Sequence, residues 1–195
     1  MEEHPAEQLW QQHGRVGPYP DGVLPVPEPI RGTAFFPGGF GLWRPNPAEP
    51  LPQMPVGGVM VLGQDFHSEE GYRASRELGQ ERMTLPTWCN LFKLLDRAEI
   101  SAEDCFFNNA YMGLRAGRAT TGKFPGARDK AFVGRCRNFL AEQLKVQRPR
   151  LILTLGSYAP RVLAPLASEL SDWLTGASLK DIDRPPAAAT RSMAK

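Results

Sequence analysis

The stretch Gly58-Val59-Met60-Val61-Leu62-Gly63-Gln64-Asp65-Phe66-His67 constrains the fold more than any other part of the chain. A β-branched and apolar run ends in a glycine, then delivers an amide, a carboxylate, an aromatic ring and an imidazole. It reads as a buried strand, about Val59–Leu62, pouring into a polar loop and then a helix. Open α/β sheets keep their ligand sites there, beyond the carboxyl ends of the strands. Ser68 suits an N-cap, with Glu69 and Glu70 in the favourable first turn of a helix reaching about Leu78. Leu85-Pro86-Thr87 leads into a second helix whose apolar residues Trp88, Leu91, Phe92 and Leu95 fall at i, i+3, i+4 and i+7.

The same rhythm then repeats. Cys105-Phe106-Phe107-Asn108-Asn109 reads as a second strand, followed by a loop with Gly113, Gly117, Gly122 and Gly126. A long helix from about Asp129 buries Phe132, Cys136, Phe139, Leu140 and Leu144. Pro149 breaks it, and Leu151–Leu155 forms a third strand. Gly156-Ser157 turns that strand into a last helix, with Ser157 as its cap. Alternating strands and helices predict an α/β fold, a three-layer α/β/α arrangement around a central parallel sheet. Three strands are visible, and a fourth is expected to have been lost by truncation near Lys195.

Length and composition set the outer bounds. A chain of 195 residues is one domain with long ends, or one domain cut short. Residues 1–30 hold Pro18, Pro20, Pro25, Pro27 and Pro29 and read as an extended Pro-rich arm. The domain proper is expected over 31–182, with 183–195 as a truncated C-terminal segment. Phe35, Phe36, Phe40 and Trp43 make the 31–57 segment either a lid of the core or a wall facing a ligand. A net charge of +2 offers no global field for nucleic acid, so such a partner would have to meet a local basic patch. No apolar run is long enough for a membrane helix, and the acidic N-terminus is unlike a signal peptide. Cys89, Cys105 and Cys136 are widely spaced, which argues against structural zinc and for a reducing compartment. A cytoplasmic protein without metal or cofactor is expected.

In such a sheet three strand ends converge: Gly63-Gln64-Asp65, Asn109 and Gly156-Ser157. They offer one carboxylate, one or two amides able to read a flat hydrogen-bonding edge, and backbone N–H groups suited to a phosphate. There is no P-loop, no dinucleotide fingerprint, no nucleophile elbow and no zinc-protease motif. Residue types alone give a phosphate- or base-binding α/β domain.

Four blocks, taken in order, carry a resemblance. Gly63-Gln64-Asp65-Phe66-His67-Ser68 follows a hydrophobic strand. Leu85-Pro86-Thr87-Trp88-Cys89-Asn90 opens a helix. Phe106-Phe107-Asn108-Asn109-Ala110-Tyr111-Met112-Gly113-Leu114-Arg115-Ala116 closes the second strand, and Leu155-Gly156-Ser157-Tyr158-Ala159 closes the third. Together they resemble the motifs of the uracil-DNA glycosylases over roughly residues 58–165. The resemblance implies a DNA repair hydrolase, monomeric by default for an enzyme that clamps DNA, acting on uracil in single- or double-stranded substrate. Asp65 would position the attacking water and stabilise positive charge on the sugar. Asn109 would read the Watson–Crick edge of the base, Gln64 would contribute backbone contacts, and Thr87 with Gly156 and Ser157 would hold the flanking phosphates. The base must leave the stack to be cut.

The departures concern the pocket. Phe66 and His67 stand where one branch of the family carries proline and tyrosine, which places them against the base. The phenylalanine that stacks on uracil has no counterpart, leaving Phe66 or Tyr72 to supply a ring. The His-Pro-Ser motif is absent, since His4, His13 and His67 all precede residue 68. Arg115, Arg118, Lys123 and Arg128 either follow the phosphates or are an ordinary solvated surface. Two further readings stand beside uracil excision: a relative with its pocket re-cut for another base or for RNA, and a non-catalytic nucleic-acid or nucleotide-binding module.

Overall fold

Alternation along the first long strand decides how the molecule is layered. A computed structural model describes residues 3–174 of the chain. Its elements are α1 (Pro5–His13), β1 (Val23–Leu24), β2 (Val59–Asp65), α2 (Glu69–Leu78), α3 (Pro86–Arg97), β3 (Cys105–Tyr111), β4 (Leu114–Arg115), α4 (Lys130–Gln147), β5 (Leu151–Thr154) and α5 (Ala159–Leu163). Successive side chains of a strand point to opposite faces. Val59 and Val61 of β2, with Cys105 and Phe107 of β3, therefore meet Trp88, Leu91 and Leu95 of α3. Met60, Leu62, Phe106 and Ala110 meet Phe132, Cys136, Phe139 and Leu140 of α4 and Val162 and Leu163 of α5 on the other face. The expected three-layer α/β/α fold is present.

The sheet runs β3-β2-β5 with both pairings parallel, so its three carboxyl ends lie along one edge. Gly63 is in register with Asn109, and Asp65 with Tyr111. Both strands run further than expected: β2 carries Gly63, Gln64 and Asp65 inside its ladder, and β3 continues to Tyr111. Continued pairing between them keeps these polar residues in strand geometry, which fixes their directions more tightly than a loop would. Asn108 points to the α4 face, where it and Gln143 exchange two hydrogen bonds of 2.9 and 3.1 Å. A buried amide pair satisfied in this way is spent on structure.

Helix caps follow the sequence at α2, where the Ser68 hydroxyl accepts from Gly71 N–H, and at α4, where Asp129 accepts from Phe132 N–H. The last helix differs. Tyr158 precedes α5, and no side chain caps it, so Ser157 is not its N-cap. Gly156 at φ +77 turns the chain first, displacing the helix start beyond Ser157.

The first thirty residues are not an extended arm. Residues 5–13 are helical, and Ala6, Leu9, His13 and Val16 are buried against the α4 side of the sheet. The prolines that disfavour helix begin only at Pro18, and ahead of them the buried residues recur at helical spacing. Beyond them Val23 and Leu24 pair antiparallel with Arg115 and Leu114. Of the aromatic segment, Phe36 is core and Phe35 is both core and cleft wall. No helix among the described residues is long and apolar enough to cross a membrane. Residues 183–195, read as a cut end, lie outside the described residues.

Candidate active site

A cleft of about 580 Å³ opens at the carboxyl edge of the sheet. Gly63, Gln64, Asp65, Phe66 and His67 line it from β2 and the turn beyond. Asn109 lines it from β3, and Leu85, Pro86, Thr87 and Trp88 from the start of α3. These three separate segments of sequence thus meet in one cavity. Gly156 and Ser157 do not line it, although Leu155 does. Tyr72 is excluded as a stacking ring: it is buried, and its hydroxyl donates to Glu28 O at 3.0 Å. Phe66 remains in the cleft wall, with its ring tip against Gly38, where a Cβ would sit 2.1 Å from it.

Asn109 is oriented by its surroundings. One Nδ2–H donates to Phe36 O at 2.9 Å, which fixes which end of the amide is which. Its Oδ1 lies over Gly63, where a Cβ would come within 2.5 Å of that oxygen. Glycine at 63 is therefore what lets the amide lie across the strand.

Asp65 is not a free carboxylate. Both of its oxygens accept from Arg115, Oδ2 from Nε at 2.7 Å and Oδ1 from Nη2 at 2.9 Å. The two side chains are only 7% and 4% exposed. Such a charge-assisted, bidentate pair is strong and directional. Losing one partner of a buried pair costs about 3–5 kcal/mol. The expectation that Arg115 belongs to a basic surface is corrected here: its main chain pairs with Val23 and its side chain turns inward. Arg118 does lie at the surface, where it pairs with Glu70 at 2.8 Å.

His67 carries a fixed tautomer. Its Nδ1 accepts from Ser68 N–H at 2.8 Å, and a backbone N–H can only donate, so the ring proton of the neutral form sits on Nε2. The ring covers Gly71, whose Cβ would fall 1.8 Å from it. Burial lowers the imidazole below the ordinary histidine range, with Asp65 acting against that shift and Arg82 with it.

Glu81 was not singled out by the sequence. It lines the cleft, accepting from Trp88 Nε1 at 2.9 Å and from Ala34 N at 3.2 Å. Burial pushes its carboxyl up to about 6, while these N–H donors pull it back. Nothing in Gln80-Glu81-Arg82 distinguishes it from a solvated loop. The α3 terminus adds unpaired backbone N–H groups, since Leu85 supplies no capping side chain. No group of three or more His, Cys, Asp or Glu among the described residues could hold a metal ion.

The model of the uracil DNA glycosylase superfamily matches residues 83–188. The chain belongs to that superfamily. The match takes in α3, β3, α4 and β5, hence Thr87, Asn109, Arg115, Gly156 and Ser157. It begins after β2, so Asp65 and His67 reach the cleft through the sheet pairing and lie outside the matched segment. No curated protein matches the chain at a significant level. The cleft at the carboxyl edge brings Gln64, Asp65, His67, Glu81, Thr87 and Asn109 together.

Proposed function

We propose that the protein is a DNA glycosylase that hydrolyses the N-glycosidic bond of a flipped-out uracil or closely related base. The observation carrying this reading is that Asp65 and Asn109, from adjacent strands, face one cleft whose far wall is the start of α3. Asp65 orients a water against the sugar carbon using the lone pairs that Arg115 leaves unused. As the bond breaks, the sugar gains positive charge and the base negative charge, so preorganised donors and acceptors do most of the work. Asn109 reads the base edge with its Oδ1 and its second N–H. His67 donates Nε2–H to a base carbonyl, a neutral donor toward an oxygen that becomes anionic. Thr87 and the α3 N–H groups take a phosphate flanking the extruded nucleotide. Substrate is DNA, single- or double-stranded, and the protein acts as a monomer in the cytoplasm without a cofactor.

Glu81 and the Phe66-His67 pair favour a second reading, a pocket re-cut for another base. A carboxylate on the wall accepts hydrogen bonds, which suits a base that presents an amino or imino group. Release of free base from single strands carrying uracil, hypoxanthine, xanthine or cytosine separates the readings. Uracil release above the others supports the first, and release of another of these bases above uracil supports the second. Binding without release of any base would contradict both and leave a non-catalytic binding module.

A further inference from the structure

We infer that Arg115 is the positioning residue of this site, clamping the Asp65 carboxylate with one edge of its guanidinium and folding the 121–123 backbone over the cleft with its other N–H groups. The inference rests on the reading of Asp65 as the reactive carboxylate. An arginine has five N–H donors in a rigid fork, and here each has an acceptor. Nε and one Nη2–H hold Asp65; the other Nη2–H donates to Gly122 O at 2.8 Å; Nη1 donates to Thr121 O at 2.9 Å and Lys123 O at 3.3 Å. Three successive carbonyls of an otherwise exposed loop thus converge on one buried cation. Gln64, the residue before Asp65, adds a hydrogen bond from Nε2 to Gly122 O at 3.2 Å.

The arginine is itself aimed from both sides. Its N–H donates to His67 O at 3.0 Å, Ala116 N–H donates to Gly22 O at 3.0 Å, and Val23 pairs with it across the β1–β4 ribbon. The Phe124 ring lies 5.6 Å from the guanidinium carbon and is stacked on Tyr111, the register partner of Asp65. Thr120 and Thr121 line the cleft. A rotation of Asp65 would therefore have to move Arg115, and with it the loop that walls the cleft. A second consequence follows from charge. The bound cation offsets Asp65, so the carboxylate acts through the direction of its free lone pairs more than through a net negative field.

Lysine keeps the charge but has no fork and cannot hold two oxygens and three carbonyls at once. In Arg115→Lys, base release under single-turnover conditions should fall about 100-fold, the scale of a misplaced catalytic group. Affinity for uracil-containing DNA should stay within about threefold, because the clamp faces inward. Amide exchange should accelerate over 117–123 while β2 and β3 stay protected. The deciding measurement is a double-mutant cycle with Asp65→Asn, comparing rates per folded molecule. If Arg115 acts through Asp65, adding Arg115→Lys to Asp65→Asn costs less than threefold more. Losses that multiply, or a loop whose exchange is unchanged, would overturn the role of Arg115 while leaving base release by the wild type intact. Absence of base release by the wild type would overturn the functional reading and this inference with it.

Discussion

For Asn109, selectivity turns on which of its atoms are already committed. One N–H is held by Phe36 O, leaving Oδ1 and a single N–H for the base. Uracil presents a donor at N3 and an acceptor at O4, and cytosine presents the reverse. Asn109→Asp should cut the ratio of uracil to cytosine release by roughly 10- to 100-fold, the scale of one or two unsatisfied polar groups. An unchanged ratio in a competition assay would remove Asn109 from base reading. His67 has a different signature, because a donor to the leaving group matters less when the base leaves easily. His67→Leu should slow uracil release about 100-fold, as loss of an oxyanion donor does, and His67→Gln should recover part of it. Fluorine at C5 acidifies the base, so the deficit of His67→Leu should shrink on 5-fluorouracil DNA. Equal deficits on both substrates would mean that His67 shapes the fold and does not touch the departing base.

Elements explain why these residues meet, and how far the sequence announced it. The strand–helix order was legible because apolar runs, caps and prolines report local structure: Val59–Leu62, Ser68, Asp129 and Pro149 each mark a boundary near the one observed. Asp65 and Asn109 were legible as a pair because parallel strands must end on one edge, and Thr87 through the motif that opens α3. Arg115 and Glu81 were not, since whether a charged side chain turns inward depends on partners 50 and 47 residues away in sequence. Helix α1 was hidden by the prolines that follow it. Its burial makes a clear prediction: Leu9→Ala should lower stability to urea by about 2–5 kcal/mol, whereas a detached arm would leave it unchanged. Gly63→Ala tests the fit between strands. A Cβ there displaces Asn109, so base selectivity should weaken while the melting temperature falls only modestly.

For the whole molecule, acid stability reports the buried imidazole beneath the sheet. His13 is 3% exposed and stacks on Trp10 with ring centroids 4.9 Å apart. Burial lowers it to about 4, opposed by a hydrogen bond to the Met112 backbone. From about pH 6.5 down to about 4 the unfolded chain takes up a proton that the folded chain refuses, so stability falls on acidification by up to about 3 kcal/mol. Glu81 has the opposite sign, since its raised carboxyl favours the folded state until pH climbs from 4.5 through about 6. Comparing urea unfolding of wild type and His13→Phe across this window isolates the histidine: the variant should lose that part of the acid slope, and an identical slope would contradict the assignment. The fold, its superfamily and the cleft then lead to one chemical claim, that Asp65 orients the water that attacks the sugar. Asp65→Asn keeps the shape but leaves Arg115 without its counter-charge, so rates must be taken at a temperature where both proteins are fully folded. Single-turnover release of uracil from single-stranded DNA should fall at least about 100-fold in Asp65→Asn with DNA affinity little changed, and release at the wild-type rate would contradict the account.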